Sequence, residues 1–164
     1  MSSALDDMYR EVILDHYRAP RGKKPLEKTD ITSTGHNPAC GDELELDLAV
    51  EDGKVAGVHV DCKGCAISTA SASMLAETVK GMPLDDAIRL AEAVRKMLKG
   101  EEVELPEDLG DLEALKGVRQ FPVRIKCALL AWLTLIEGMK RYRDGQTDTA
   151  GTVVSTEQDE PTTT

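Results

Sequence analysis

Cys40 and Asp42 stand two apart in the stretch Asn37-Pro38-Ala39-Cys40-Gly41-Asp42, and Cys65 and Cys127 follow far downstream. The chain has only four cysteines, and these three lie beside features that suit a metal or a reactive sulfur. Cys65 follows Gly64 and opens a helical stretch. Cys127 lies on another, next to Lys126. Three thiolates and one carboxylate make a tetrahedral Zn²⁺ shell. They also make a sulfur-handling site, because the thiolate is both metal ligand and nucleophile. Structural zinc sites normally pair their cysteines in Cys-x-x-Cys knuckles. Here the ligands are scattered and one is a hard carboxylate, a poorer partner in a thiolate-rich shell than a fourth thiolate. Such a shell should release one ligand more readily than a four-cysteine site.

Other residues compete for attention. Cys62-Lys63-Gly64-Cys65 has redox spacing, but a thioredoxin-like motif belongs in a βαβ setting, and the strands before it read as antiparallel. Cys62 is therefore read as incidental, a small buried hydrophobe. His16, His36 and His59 have no ligand spacing. Arg124 and Lys126 flank Cys127; they are either solvated helix charge or a means of stabilising a thiolate or meeting a partner.

The elements that must position these groups follow from periodicity. Ser3 can cap a first helix in which Leu5, Met8, Tyr9, Val12, Ile13 and Tyr17 recur at helical spacing, ended by Pro20, Gly22 and Pro25. Residues 21–30 are a polar connector. Leu44, Leu46, Leu48 and Val50 alternate with acidic residues as a half-buried strand, Asp52-Gly53 is a hairpin turn, and Val55 to Val60 is the return strand. Ile31 to Thr34 supplies a third strand. Ala66 to Lys80, rich in small residues, predicts a helix that packs tightly on the sheet. Further helices run from Pro83 to Lys99 and from Pro122 to Tyr142. The acidic stretch 101–120 holds a short helix over Asp111 to Lys116. Helix, antiparallel strands, then helices predict an α+β domain, a small antiparallel sheet with helices on one face, spanning residues 1–144. The hairpin returns the chain to the end where it started, so the loops holding Cys40, Asp42 and Cys65 should be neighbours. No local pattern brings Cys127 to the same end.

The bulk properties narrow the function. The 164 residues, 41% hydrophobic, suit one domain with a real core. The net charge of −10 excludes non-specific nucleic-acid binding, which needs clustered positive charge. No apolar run is long enough for a membrane span. The first residues lack the basic and apolar regions of a signal peptide, so the expectation is a cytoplasmic protein with reduced thiols. Residues 145–164 hold seven threonines, four acidic residues and no Lys or Arg. That composition predicts a disordered, dispensable tail.

Three separated segments resemble the SufU branch of the IscU/NifU-N iron–sulfur assembly proteins: Asn37 to Asp42, Gly64 to Ser73, and Phe121-Pro122-Val123-Arg124-Ile125-Lys126-Cys127-Ala128. Tyr9 to Tyr17 is similar too, and the resemblance covers roughly residues 5–143. It implies a SufE/NifU-like fold and a metal site from Cys40, Asp42, Cys65 and Cys127. The scaffold branch places a His immediately before the last cysteine, where this chain has Lys126. It also lacks an insertion that here matches Glu101 to Gln120, and the scaffolds' Leu-Pro-Pro-Val-Lys motif is absent here. The resemblance thus implies a zinc-dependent sulfurtransferase that accepts persulfide sulfur from a SufS-type cysteine desulfurase and serves downstream iron–sulfur assembly machinery. A partner side chain would displace Cys40 from zinc, Cys40 would take the sulfur, and Arg124 would orient the site or the partner. The alternative is a scaffold holding iron or a [2Fe–2S] cluster on the same residues; a third reading is a zinc-stabilised binding module without transfer activity.

Overall fold

The computed structural model describes residues 3–105, 107–145 and 153–156, with side chains described for 9–105, 111–145 and 154–156. Helix α1 spans Ser3–Arg18 and is followed by strands β1 (Ile31–Asn37), β2 (Asp42–Glu51) and β3 (Lys54–Lys63). Helices α2 (Ala66–Val79) and α3 (Leu84–Leu98) come next, then a run of 3₁₀ turns (Glu107–Gln120), helix α4 (Pro122–Arg143) and strand β4 (Val153–Ser155). The architecture is α+β, as the element order predicts. Among the described residues no helix is long and apolar enough to cross a membrane.

β1, β2 and β3 form an antiparallel meander, with Ile31 opposite Leu48, Asn37 opposite Asp42, and Glu43 opposite Lys63. Asp52 and Gly53 both have positive φ, +53° and +73°, the backbone of the tight turn expected there. β1 runs three residues beyond the Ile31–Thr34 expected from sequence, because Gly35 and His36 carry no strand signal of their own. A fourth strand makes the sheet mixed, in the order β3-β2-β1-β4. β4 lies parallel to β1, with Thr34, Gly35 and His36 opposite Val153, Val154 and Ser155. These residues fall inside the stretch whose composition predicts disorder. The average over twenty residues hides two consecutive valines, which suit a pleated edge. Apart from Gly145 and Thr156, the rest of that stretch lies outside the described residues.

The inner face of the sheet carries Ile31, Leu44, Leu46, Leu48, Val58 and Val60, all buried against the helices. α2 and α4 cover it. The small residues of α2 do what their size suggests: Ala70, Ser71, Ala72 and Ser73 are buried, and the helices meet closely through them. The Trp132 indole donates to Ser71 Oγ at 2.9 Å, and that hydroxyl donates to the Ala128 carbonyl at 2.7 Å. α1 is pinned by His16, which is fully buried between Ser73 Oγ (2.7 Å) and Asp111 Oδ2 (3.2 Å). The 3₁₀ run is longer than the expected helix over 111–116. Leu112, Leu115 and Val118 are all buried, and their spacing of three matches three residues per turn rather than 3.6.

α4 sits on β1 through close backbone approach. A Cβ built on Gly35 would overlap Thr134 Oγ1 and lie 2.9 Å from Leu130 Cδ1. Ser33 Oγ donates to the Thr134 carbonyl at 2.8 Å. Gly35→Ala should therefore lower stability by ~1–3 kcal/mol, the usual cost of overpacking. Pairing it with Thr134→Ala should recover part of the loss in a denaturant titration. A Gly35→Ala midpoint equal to the parent's would show that this contact does not set the helix position.

Candidate metal centre

The site is built at one end of the sheet. The last residue of β1, Asn37, faces the first of β2, Asp42, and both point to the inner face. A four-residue turn joins them, closed by the Gly41 N–H donating to the Asn37 carbonyl at 2.9 Å, and Cys40 sits half-buried in that turn. The antiparallel register carries β3 back to the same end, where Gly64 and Cys65 follow.

Asp42 is fully buried. A carboxylate in that position must be hydrogen-bonded or paired. The Asn37 Nδ2–H donates to Oδ2 at 3.0 Å, and the Cys65 backbone N–H donates to Oδ1 at 3.0 Å. The second bond explains Gly64. A Cβ there would overlap Asp42 Oδ1 and lie 2.6 Å from Ser68 Oγ, so only glycine lets the loop come this close.

Cys65 caps α2. Its sulfur accepts from the Ser68 N–H at 3.5 Å, the role usually taken by Ser, Thr, Asp or Asn. The helix N-terminus favours negative charge there. Cys127 enters from the second turn of α4 and is fully buried, with its Sγ 3.3 Å from Cys40 Sγ and 3.6 Å from Asn37 Nδ2. The ligand atoms of Cys40, Asp42 and Cys127 all lie within 4.8 Å of one another. The Cys65 sulfur is not part of that group of three, but lies close enough to Cys127 for the two thiols to perturb each other's ionisation. One turn before Cys127, the exposed Arg124 guanidinium lies near the Cys127 sulfur, with Cys65 and Cys40 in range of its charge. The five residues singled out in the sequence thus lie at one end of the sheet, three of them in a tight group and the Cys65 sulfur and the Arg124 guanidinium beside it.

The remaining candidates do not. Cys62 lies outside the cluster, with its sulfur 3.7 Å from Ser68 Oγ and 4.0 Å from Thr69 Oγ1. His36 alternates with Asn37 and so points to the opposite face of the sheet. His59 Nδ1 lies 3.1 Å from the Gly22 carbonyl. Asn37, Gly64 and Ser68 are the residues that sequence reasoning missed as parts of the site. The available signal was a polar residue at a strand end with an obligatory acid opposite, and a glycine immediately before a capping cysteine.

The donor set fits a tetrahedral thiophilic ion. Thiolates on Zn²⁺ at ~2.3 Å stand roughly 3.8 Å apart in a tetrahedron, so a small spreading of the Cys40–Cys127 pair makes room. Asp42 retains lone pairs beyond the two bonds it accepts. The thiols are already polarised. Hydrogen bonding with Cys127 pushes the Cys65 thiol down to about 5, against the effect of burial and with help from the Ser68 N–H. The same bond, with burial and Cys40, drives Cys127 far up, so the two share one proton. Burial pushes Cys62 up.

These shifts are measurable in the metal-free protein. Thiolate is the form that alkylates, and a depressed pKa keeps it present at low pH. Iodoacetamide should therefore modify Cys65 with a half-maximal rate near pH 5, about 5 being its pKa, while Cys62 stays inert until pH rises past the ordinary thiol range. Peptide mapping in which Cys65 begins to react only with Cys62 would refute the shared-proton arrangement.

The chain matches the NifU-like N terminal domain family over residues 8–148. It is 40% identical over 141 residues to the zinc-dependent sulfurtransferase SufU of Bacillus subtilis, covering 86% of this chain and 95% of that one. It is 36% identical over 144 residues to the iron–sulfur cluster assembly scaffold protein IscU of Streptococcus pyogenes, covering 88% and 90%. Among solved structures, a NifU-like protein N-terminal domain from Brucella abortus superposes with a TM-score of 0.77 at 25% identity, covering 87% of this chain and 99% of that one. A putative iron–sulfur cluster assembly scaffold protein for the SUF system from Fervidobacterium islandicum gives a TM-score of 0.74 at 29% identity, covering 84% and 99%. The chain belongs to the NifU-like N-terminal domain family, the family of the IscU and SufU proteins of iron–sulfur cluster assembly.

Proposed function

We propose that this protein is a zinc-dependent sulfur acceptor, a sulfurtransferase that takes persulfide sulfur from a SufS-type cysteine desulfurase for iron–sulfur cluster assembly. The observation that carries the reading is the division of labour within the cluster. Asp42 and Cys127 are fully buried and held by other groups, whereas Cys40 sits half-buried in a turn between two strands. Cys65 is half-buried too, but its sulfur caps α2 by accepting from the Ser68 N–H, so Cys40 is the accessible thiol whose departure disturbs the scaffold least. Zn²⁺ bound by Cys40, Asp42, Cys65 and Cys127 would hold the sulfurs as thiolates at neutral pH.

The chain's own residues do the rest. The Cys40 thiolate attacks the outer sulfur of a persulfide on the partner's cysteine. A new S–S bond forms on Cys40, the old one breaks, and the electron pair leaves on the partner's thiolate. Asp42 stays in place through Asn37 and the Cys65 N–H. Arg124 lies exposed at the mouth, where its positive charge offsets that of the thiolates and meets the partner. Lys126 stands where the scaffold branch has a histidine, which favours transfer over cluster assembly. The likeness to the streptococcal scaffold keeps a second reading in view, a [2Fe–2S] cluster on the same residues.

Purified without added iron, the protein should be colourless with about one equivalent of zinc, one tetrahedral site's worth. After incubation with desulfurase and cysteine, alkylation and mass spectrometry should locate the first extra sulfur on Cys40. Cys40→Ala should abolish acceptance while leaving the desulfurase bound, and Asp42→Ala should weaken zinc and transfer together. A brown iron chromophore would favour the scaffold. Persulfide appearing first on Cys65 or Cys127 would overturn the choice of acceptor.

A further inference from the structure

We infer that Thr156, in the C-terminal segment, is a positioning residue for the metal centre, acting through Asn37. The inference rests on reading the cluster as a zinc site. Asn37 is fully buried, and its amide is shared among three groups. Nδ2 faces Asp42 Oδ2 at 3.0 Å and Cys127 Sγ at 3.6 Å, and Oδ1 accepts from Thr156 Oγ1–H at 2.9 Å. Thr156 is itself 1% exposed and 119 positions from Asn37.

The orientation of that amide decides what the ligands feel. As placed, it offers N–H to a carboxylate and a sulfur, both of which carry negative charge when they bind a cation. Rotated by half a turn, it would offer its carbonyl oxygen to the same two groups and repel both. Only the first orientation leaves Oδ1 facing the Thr156 hydroxyl, which donates to it. The Asp42 carboxylate, which only accepts, sets the orientation, and the hydroxyl holds it by donating to the buried Oδ1 that would otherwise lack a partner. β4 brings it there: three parallel pairs with β1 end at His36–Ser155, and the next residues along the chain are Asn37, the last of β1, and Thr156, just past β4. Groups that orient metal ligands typically change affinity by ~10–100-fold when removed. Thr156 acts one bond further out, so the lower end of that range applies.

The test uses the full-length chain. Zinc transfer to a chromogenic chelator should be about tenfold faster from Thr156→Val, which keeps the side-chain shape and loses only the hydroxyl. It should return near the parent rate in Thr156→Ser, which restores it. In the metal-free protein, the Asn37 side-chain amide proton signals should shift and exchange faster with water in Thr156→Val and return in Thr156→Ser. A Thr156→Val protein with the parent release rate and unchanged Asn37 signals overturns the inference. A parent that takes up no zinc defeats the zinc reading instead, and the Asn37 signals then decide alone whether Thr156 holds the amide. Thr156→Ala, read the same way, serves if the valine methyl is not accommodated.

Discussion

The site depends on one buried carboxylate. Asp42 is removed from water at the end of a sheet whose inward face is apolar apart from Ser33 and Asn37, and a charge left unpaired there would be costly to bury. Every neighbour can be derived from that need. Asn37 is opposite in register because β1 and β2 are joined by a short turn, so its amide reaches Asp42 from the side. The Cys65 N–H reaches it from above because β3 returns to the same end, and only after Gly64 has removed the side chain that would block the approach. The turn needed to bring Asn37 opposite Asp42 is the turn that holds Cys40. The loop needed to bring an N–H to Asp42 is the loop that starts α2 with Cys65. Two thiols are thus fixed by the requirements of one acid.

The third thiol obeys a different constraint. Cys127 has no other ligand near it in sequence, and its arrival depends on how close α4 can lie to β1. Gly35 and Ser33 on the strand and Thr134 on the helix set that distance, and Ser71 and Trp132 lock the helix to α2. Packing far from the sulfurs therefore determines where Cys127 sits, and a shift of α4 along β1 would dissolve the cluster while leaving every local element intact.

This is also why sequence could not reach all of it. The alternation of Leu44, Leu46 and Leu48, the Asp52-Gly53 turn and the small-residue face of Ala66 to Lys80 carry their structure locally, and the structure agrees with them. Convergence of Cys40, Asp42 and Cys65 follows from hairpin geometry alone. Cys127 could be named as a ligand by its residue type and by the resemblance, but nothing local brings it to the same end, because the Gly35–Thr134 approach is a tertiary contact with no periodic signature. Asn37 reads as a turn residue until its partners are known. Thr156 is one threonine of seven in a polar stretch, and nothing in composition separates it from the others. The 3₁₀ run was concealed by a spacing of three, which a helical period of 3.6 matches only briefly.

The β4 pairing has a further consequence, for self-association. Along the outside of β3, Val60 N–H bonds to the Gly22 carbonyl and Val55 N–H to the Met82 carbonyl, so the connector and the α2–α3 turn occupy that flank. On the other flank, the backbone of Thr34 to His36 is met by Val153 to Ser155. An uncovered row of strand amides and carbonyls is a template for another chain. A version of this protein ending before β4 would present that row on β1, and shortened copies would be prone to pair edge to edge through it. Three residues near the C-terminus thus help keep the sheet from growing beyond its own molecule.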